Sequence, residues 1–269
     1  MTYQDILNEA KEDIDRLDAE LILGYVEKKT REKIFSNLNF SLNNEKVNTF
    51  RKLVKKRKIG FPLAYITGNK EFWKSEFIVS DVVLIPRPET ELIIEEVLKE
   101  DLINKTILEL GTGSGNISIS IMKERPEVKI YATDKSINAL LVAKKNSELN
   151  KTNKIIFLNH DWKKQWLFPS VDIIISNPPY VDKAMVDKEE DGVWFEPEEA
   201  LFSGKSGFSD IEIILQKSFG FLKKKGKLLI EHAPFQSEKV ADISMTIGYT
   251  EIKQKRDLNK DIRLSILEK

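Results

Sequence analysis

The stretch Asn177-Pro178-Pro179-Tyr180 has the makings of a rigid acceptor site for a flat –NH2 group. It follows the apolar, β-branched run Val171-Asp172-Ile173-Ile174-Ile175-Ser176, which reads as a buried parallel strand. The prolines remove two backbone donors and fix two φ angles, so the carbonyls there point out with little freedom. Asn177 adds a side-chain oxygen at the carboxyl end of the strand, where open α/β sheets bind ligands, and Tyr180 sets an aromatic ring beside it. Taken alone, the tetrapeptide also reads as a strand stopped by prolines and followed by a turn.

A second constellation lies upstream. The strand Thr106-Ile107-Leu108-Glu109-Leu110 runs into Gly111-Thr112-Gly113-Ser114-Gly115-Asn116, which opens a helix. Glycines there let the turn close and let a ligand touch the backbone at a helix N-terminus. The spacing is G-x-G-x-G, whereas a dinucleotide fingerprint wants its third glycine one place later, at Asn116. Glu109 just before the loop would repel a pyrophosphate and attract a cation or amine. Asp134 ends the next strand, nineteen residues after Gly115, where an acid can chelate the two ribose hydroxyls of an adenosine. Asp161 and Trp162 follow the third strand, placed to meet an adenine amino group and cover its ring. With no phosphate-gripping lysine, the set favours S-adenosylmethionine over NAD or ATP. Asp134 by itself would serve equally as a helix cap.

The elements that must position these residues follow from periodicity. Strands are expected near 106–110, 128–133, 154–159, 171–176 and 226–231, with helices near 115–124, 136–149 and 207–223, the pattern of a doubly wound parallel sheet. A helix near 235–247 and two closing strands, 249–254 and 262–267, imply an antiparallel far edge. Residues 1 to about 60 read as helical, with Thr2 and Asp5 capping the first helix and Ile6, Leu7 and Ile14 on one face. Leu17, Leu21 and Ile22 are expected to continue a second apolar stripe, and a helix over 44–58 to bury Val47, Phe50 and Val54. The Lys55-Lys56-Arg57-Lys58 run reads as the solvated last turn of that helix. From Lys70 to Leu84 the alternation of Phe72, Trp73, Phe77, Val79 and Val82-Val83-Leu84 suggests a hairpin. Beyond it, Arg87-Pro88-Glu89-Thr90-Glu91 opens a helix carrying Leu92, Ile93 and Val97 inward, with Arg87 accessible in an extended Pro-x-Pro segment. The domain division expected is a helical head at 1–69, a hairpin linker at 70–85 and a catalytic domain at 86–269.

Composition narrows the function classes. With 43 Lys+Arg against 43 Asp+Glu, the chain lacks the basic surplus usual for clamping nucleic acid. Its lack of cysteine excludes disulfides, thiolate metal sites and cysteine nucleophiles, and fits a reducing, cytoplasmic setting. No run approaches the ~18 apolar residues of a membrane span, and the first twenty residues show no signal-peptide pattern.

With these residues in hand, the chain resembles the peptide chain release factor glutamine methyltransferases, the HemK/PrmC family. The resemblance rests on the helical head, Pro62-Leu63-Ala64-Tyr65-Ile66-Thr67-Gly68, Ile85 to Glu91, Glu109 to Gly115, Asn177 to Tyr180, Phe195-Glu196-Pro197, Leu229-Ile230-Glu231-His232 and Arg256-Asp257 with Arg263. Phe61 and Phe195 depart from it, standing where the family often has Glu and Tyr. The resemblance implies a Rossmann-like class I methyltransferase domain dependent on S-adenosylmethionine, with a small helical substrate-recognition domain. It implies cofactor contacts from Glu109, Gly111, Thr112, Gly113, Ser114, Gly115, Asp134, Asp161, Trp162 and Asn177. The substrate would lie on Asn177, Pro178, Pro179, Tyr180, Arg87 and Glu89, with Asn177, Pro178 and Tyr180 carrying the transfer.

The partner implied is a release factor presenting the glutamine of its Gly-Gly-Gln motif. The products would be N5-methylglutamine and S-adenosylhomocysteine. No metal, membrane or direct nucleic-acid partner is expected, and the protein would act as a monomer. The Asn177 side-chain oxygen and the Pro178 carbonyl would take the two N–H bonds of the amide, while Tyr180 packs on its plane. His160 and His232 read as structural. Two other readings use the same residues: methylation of adenine N6 or guanine N2 in nucleic acid, which needs a flipped base, and a non-catalytic regulator that only binds the cofactor. The segment 181–206, with acids at 187, 189, 190 and 191, would be an ordered substrate-contacting loop or a lid.

Overall fold

The computed structural model describes residues 1–184, 186, 192–204 and 206–269. The acids at 187, 189, 190 and 191 lie outside the described residues. The chain divides into two units, 1–69 with 189–195 and 70–188 with 196–269.

The first unit contains α1 (Tyr3–Ala10), α2 (Arg16–Glu27), α3 (Arg31–Phe35), α4 (Asn44–Lys58) and α5 (Leu63–Thr67). Thr2 and Asp5 form a reciprocal capping box at the start of α1. Tyr3, Ile6, Leu7, Ala19, Ile22, Leu23 and Phe50 make its core. Leu17 and Leu21 are not in that stripe: they are 45% and 36% exposed. Four residues apart, they share a face with Tyr25, and at 100° per residue the buried face of α2 runs instead through Ala19, Ile22 and Leu23. The basic run does close α4, but Arg57 and Lys58 are also latched to Asp18 (2.6 Å) and Asp13 (2.5 Å). Phe61 and Phe195, the two departures from the family pattern, meet edge to face with ring centroids 5.1 Å apart.

In the second unit, β1 (Asn69–Phe72) and β2 (Ser75–Ile78) form a two-stranded sheet that turns at Trp73, whose φ is 53°. Trp73 donates from its backbone to Glu91 and from its indole to Glu124, and Asn146 bridges the Ile78 backbone N–H and C=O. Val82-Val83-Leu84 is not strand. With no strand paired to it among the described residues and prolines at 86 and 88, the segment folds as a turn closed by Val83 N–H on the Ser80 carbonyl. A short 3-10 turn at Pro88–Thr90 then leads into α6 (Glu91–Val97), which buries Ile93, Ile94 and Val97.

The main sheet is built from β3 (Thr106–Leu110), β4 (Lys129–Asp134), β5 (Ile156–Asn159), β6 (Val171–Ser176), β7 (Leu222–Glu231), β8 (Glu251–Arg256) and β9 (Ile262–Glu268). Its order is β5-β4-β3-β6-β7-β9-β8, parallel except that β9 runs antiparallel between β7 and β8. The connecting helices are α7 (Asn116–Glu124), α8 (Ile137–Leu149), α9 (Glu198–Leu201), α10 (Ser209–Phe221) and α11 (Ser237–Ile247). Alternate side chains divide between two apolar layers: Ile107, Ile173 and Ile175 join one, Leu108, Leu110 and Ile174 the other. Among the described residues no helix is long and apolar enough to cross a membrane.

The register sets the site. Leu110 is level with Thr133 and Ser176, and Ser176 with Ile230. The residues that follow, Gly111, Asp134, Asn177 and Glu231, therefore emerge together at the carboxyl edge. Strand order reverses between β3 and β6, so a crevice opens there.

Candidate active site

A cavity of about 360 Å³ occupies that crevice, within the size range of small-molecule sites. One bank is the glycine loop. Gly111 and Thr112 both donate their backbone N–H to the Thr133 carbonyl (2.9 and 2.8 Å), tying the loop to the end of β4. Asp134 then takes the Gly113 N–H on one carboxylate oxygen (2.9 Å) and the Ser136 N–H on the other (2.8 Å). Gly113 has φ +53° and open space where a side chain would begin. Gly115, at φ +83°, lies where an added Cβ would stand 2.9 Å from Ile119 and 3.1 Å from Ala143, so it lets α7 and α8 close on each other.

Beneath this loop Glu109 is fully buried and shares the face of β3 that carries Ile107 into the apolar layer. It accepts from Thr112 (2.6 Å) and from Ser118, while its Oε1 has no partner among the described residues. Burial pushes its carboxyl up to about 7. Burial also raises Asp134, against the pull of its two backbone donors.

The other bank is the tetrapeptide after β6. Asn177 faces the cavity, and its Nδ2 donates to Thr90 Oγ1 at 3.0 Å, which leaves Oδ1 as the end free to accept. Tyr180 donates its hydroxyl to Glu231 Oε1 at 3.0 Å. Glu231 is 1% exposed and pushed up to about 7, chiefly by burial, although the neighbouring Thr90 and Tyr180 hydroxyls and the Arg263 charge favour its ionised form. The same burial, with Glu231 beside it, holds the Tyr180 phenol well above its ordinary value. A third side is the segment Val83 to Arg87. It is fastened by Glu196, which accepts the Ile85 N–H at 2.9 Å and pairs with Arg87.

Of the residues singled out in the sequence, Gly111, Thr112, Gly113, Ser114, Asp134, Trp162, Asn177, Pro179 and Arg87 line the cavity. Trp162 abuts Gly111, with its indole N–H on Asp210 at 2.9 Å. Glu109, Gly115, Pro178, Tyr180 and Glu89 are not among the lining residues, and Asp161 lines a neighbouring recess, its carboxylate on the Lys163 N–H. His160 packs edge-on against Phe168, and His232 lies buried between the Ala233 carbonyl and Ser265.

Thr90, Glu196 and Glu231 were assigned no role from sequence. For Glu231 a signal existed: it is a carboxylate directly after the apolar run Leu228-Leu229-Ile230, as Glu109 is after Ile107-Leu108. Thr90 carried none, since a threonine at a helix start ordinarily reads as a cap.

A family model described as the methyltransferase small domain matches residues 88–192, and one described as the PrmC N-terminal domain matches residues 2–68. The release factor glutamine methyltransferase of Coxiella burnetii is 40% identical over 90% of this chain and 88% of its own. That of Shewanella oneidensis is 36% identical over 93% of this chain and 88% of its own. Among solved structures, a methyltransferase from Pyrococcus furiosus superposes with a TM-score of 0.52 at 20% identity, covering 71% of this chain and 87% of that one, a likeness of fold.

Proposed function

The chain belongs to the release factor glutamine methyltransferase family, and from that premise we propose that it methylates the side-chain amide nitrogen of the glutamine in the Gly-Gly-Gln motif of peptide chain release factors. The observation that supports the reading is at Asn177: it lines a cavity whose opposite bank is the glycine loop, and its amide nitrogen is engaged by Thr90, which leaves its oxygen to accept.

The residues present fit S-adenosylmethionine as the methyl donor. Gly113 offers backbone without a side chain, Asp134 supplies a carboxylate on the wall, and Trp162 supplies an aromatic surface. Residues 109–116 include no lysine or arginine that would answer a pyrophosphate. Asp134 would bind the ribose, Gly111 to Ser114 the rest of the cofactor, and Trp162 would shield it from water. When bound, the cofactor supplies an electrophilic methyl group on a sulfonium.

An amide nitrogen is a weak nucleophile because its lone pair is delocalised into the carbonyl. Asn177 Oδ1 and the Pro178 carbonyl would accept the two N–H bonds, fixing the rotation of the amide and stabilising positive charge as it grows on nitrogen. This is the logic of an oxyanion hole with the sign reversed, and orientation alone lowers such barriers by several kcal/mol. Pro179 and Arg87 on the cavity wall would flank the incoming side chain.

The test is mass spectrometry of a purified release factor after incubation with the protein and labelled S-adenosylmethionine. One added methyl on the Gly-Gly-Gln glutamine is expected. Label appearing instead on competing duplex DNA or RNA would reject the assignment.

A further inference from the structure

Asn177 presents a chemical ambiguity. The two ends of its amide are nearly the same size, yet one donates and the other accepts. A hydroxyl neighbour does not resolve this by itself, because Thr90 Oγ1 could accept from Nδ2 or donate to Oδ1. The structure resolves it one layer further in. Thr90 is 1% exposed, and it lies close enough to the Glu231 carboxylate to favour the ionised form of that group. The two Glu231 oxygens are unequally served: Oε1 takes the Tyr180 hydroxyl at 3.0 Å, while Oε2 has no hydrogen-bond partner among the described residues. When ionised, Glu231 is therefore an acceptor-rich buried group beside a hydroxyl that has one proton to direct. Asn177 Nδ2 donates to Thr90 Oγ1 at 3.0 Å, and a Thr90 proton turned toward Glu231 would leave the lone pair for that contact.

We propose that Thr90 is a positioning residue for transfer: backed by Glu231, it accepts from Asn177 and so holds the asparagine oxygen, rather than its –NH2, toward the substrate amide. The assignment rests on the function proposed above. Without Thr90 the Asn177 side chain could flip and offer a donor to a substrate donor, a pairing that leaves both unsatisfied in a closed site. The glycine loop is held separately, by Thr133 and Asp134. The effect therefore falls on turnover and not on cofactor affinity.

The variants are Thr90→Val, which keeps the shape and removes the hydroxyl, and Thr90→Ser, which restores the hydroxyl. In Thr90→Val we expect kcat for release-factor methylation to fall on the order of 10- to 100-fold, as small misplacements of a reacting group do. The Kd for S-adenosylmethionine should stay within about twofold of wild type, and Thr90→Ser should recover most of the rate. Hydrogen exchange at the Asn177 side-chain amide, followed by NMR in the free protein, should accelerate in Thr90→Val and return in Thr90→Ser. A Thr90→Val enzyme at wild-type rate, an equal loss in cofactor affinity, a serine variant as slow as the valine one, or unchanged exchange would each overturn the proposal. If wild type itself transfers no methyl to a release factor, the functional reading fails, while the exchange measurement still decides whether Thr90 orients Asn177.

Discussion

The two banks of the cavity each rest on a buried glutamate, yet they are built differently. Under the glycine loop, Glu109 takes hydroxyls from Thr112 and Ser118, three and nine residues along the chain. Under the tetrapeptide, Glu231 takes the hydroxyl of Tyr180 from another strand end, and Thr90 from the start of α6 lies near enough to favour its ionised form. The first bank is thus a local device, shaped by backbone conformation and nearby side chains. The second is assembled across the sheet, and the side chain expected to meet substrate is oriented by a neighbour that is itself fixed from a third place. Damage to the first should read out mainly as lost cofactor affinity or stability, and damage to the second as lost turnover.

The largest expected contrast is at Asn177. Asn177→Ala should lower kcat at least about a hundredfold, as removal of one oriented polar group in a closed site does. Calorimetric titration with S-adenosylmethionine should nevertheless give a nearly unchanged Kd, and a joint loss would erase the distinction between the banks. Across the cavity, Asp134→Ala removes the acceptor for two backbone N–H groups as well as a wall carboxylate. Loss of charge-assisted hydrogen bonds of this kind costs about 1.5–3 kcal/mol, so Kd for the cofactor should rise roughly 10- to 150-fold. Turnover at saturating cofactor should change far less.

Smaller effects concern stability. Gly115→Ala places a Cβ against Ile119 and Ala143 at a positive φ, and should cost about 1–3 kcal/mol in urea unfolding. A midpoint equal to wild type would mean that α7 and α8 can part without penalty. The finest test uses pH. Glu109 rises from 4.5 to about 7 on burial, so between those values the folded protein keeps a proton that the unfolded chain releases. Its contribution is complete below about 4.5 and is lost as pH rises through about 7. Relative to Glu109→Gln, whose amide oxygen still accepts from Thr112 and Ser118, wild type should lose on the order of 1.4 kcal/mol per pH unit across that window. Parallel stability curves for the two proteins from pH 5 to 8 would show that the buried carboxyl does not titrate there.

How much of this was legible in advance follows the same division. The glycine loop, Asp134 and the proline-stiffened tetrapeptide could be read because each depends on backbone conformation or on its place at a strand end. The alternating strands and helices, and the antiparallel closing pair, could be read because side-chain period is a local property. Leu17 and Leu21 misled because an i, i+4 pair marks a helix face without saying which face has a partner. Val82 to Leu84 misled because an apolar alternation becomes a strand only where another strand is in reach.

What the amino-acid order determined alone is the doubly wound class, the glycine turn and the proline-stiffened turn at the end of β6 that carries the proposed acceptor. What only the tertiary structure decided is which residues stand behind that acceptor. The order β3-β6-β7, with its register, brings Asn177 and Glu231 to one edge, and the packing of α6 carries Thr90 between them. Hydrogen bonds are specific at about 3 Å and blind to separation along the chain. Partners from three distant segments therefore become visible as partners only once the sheet has aligned them.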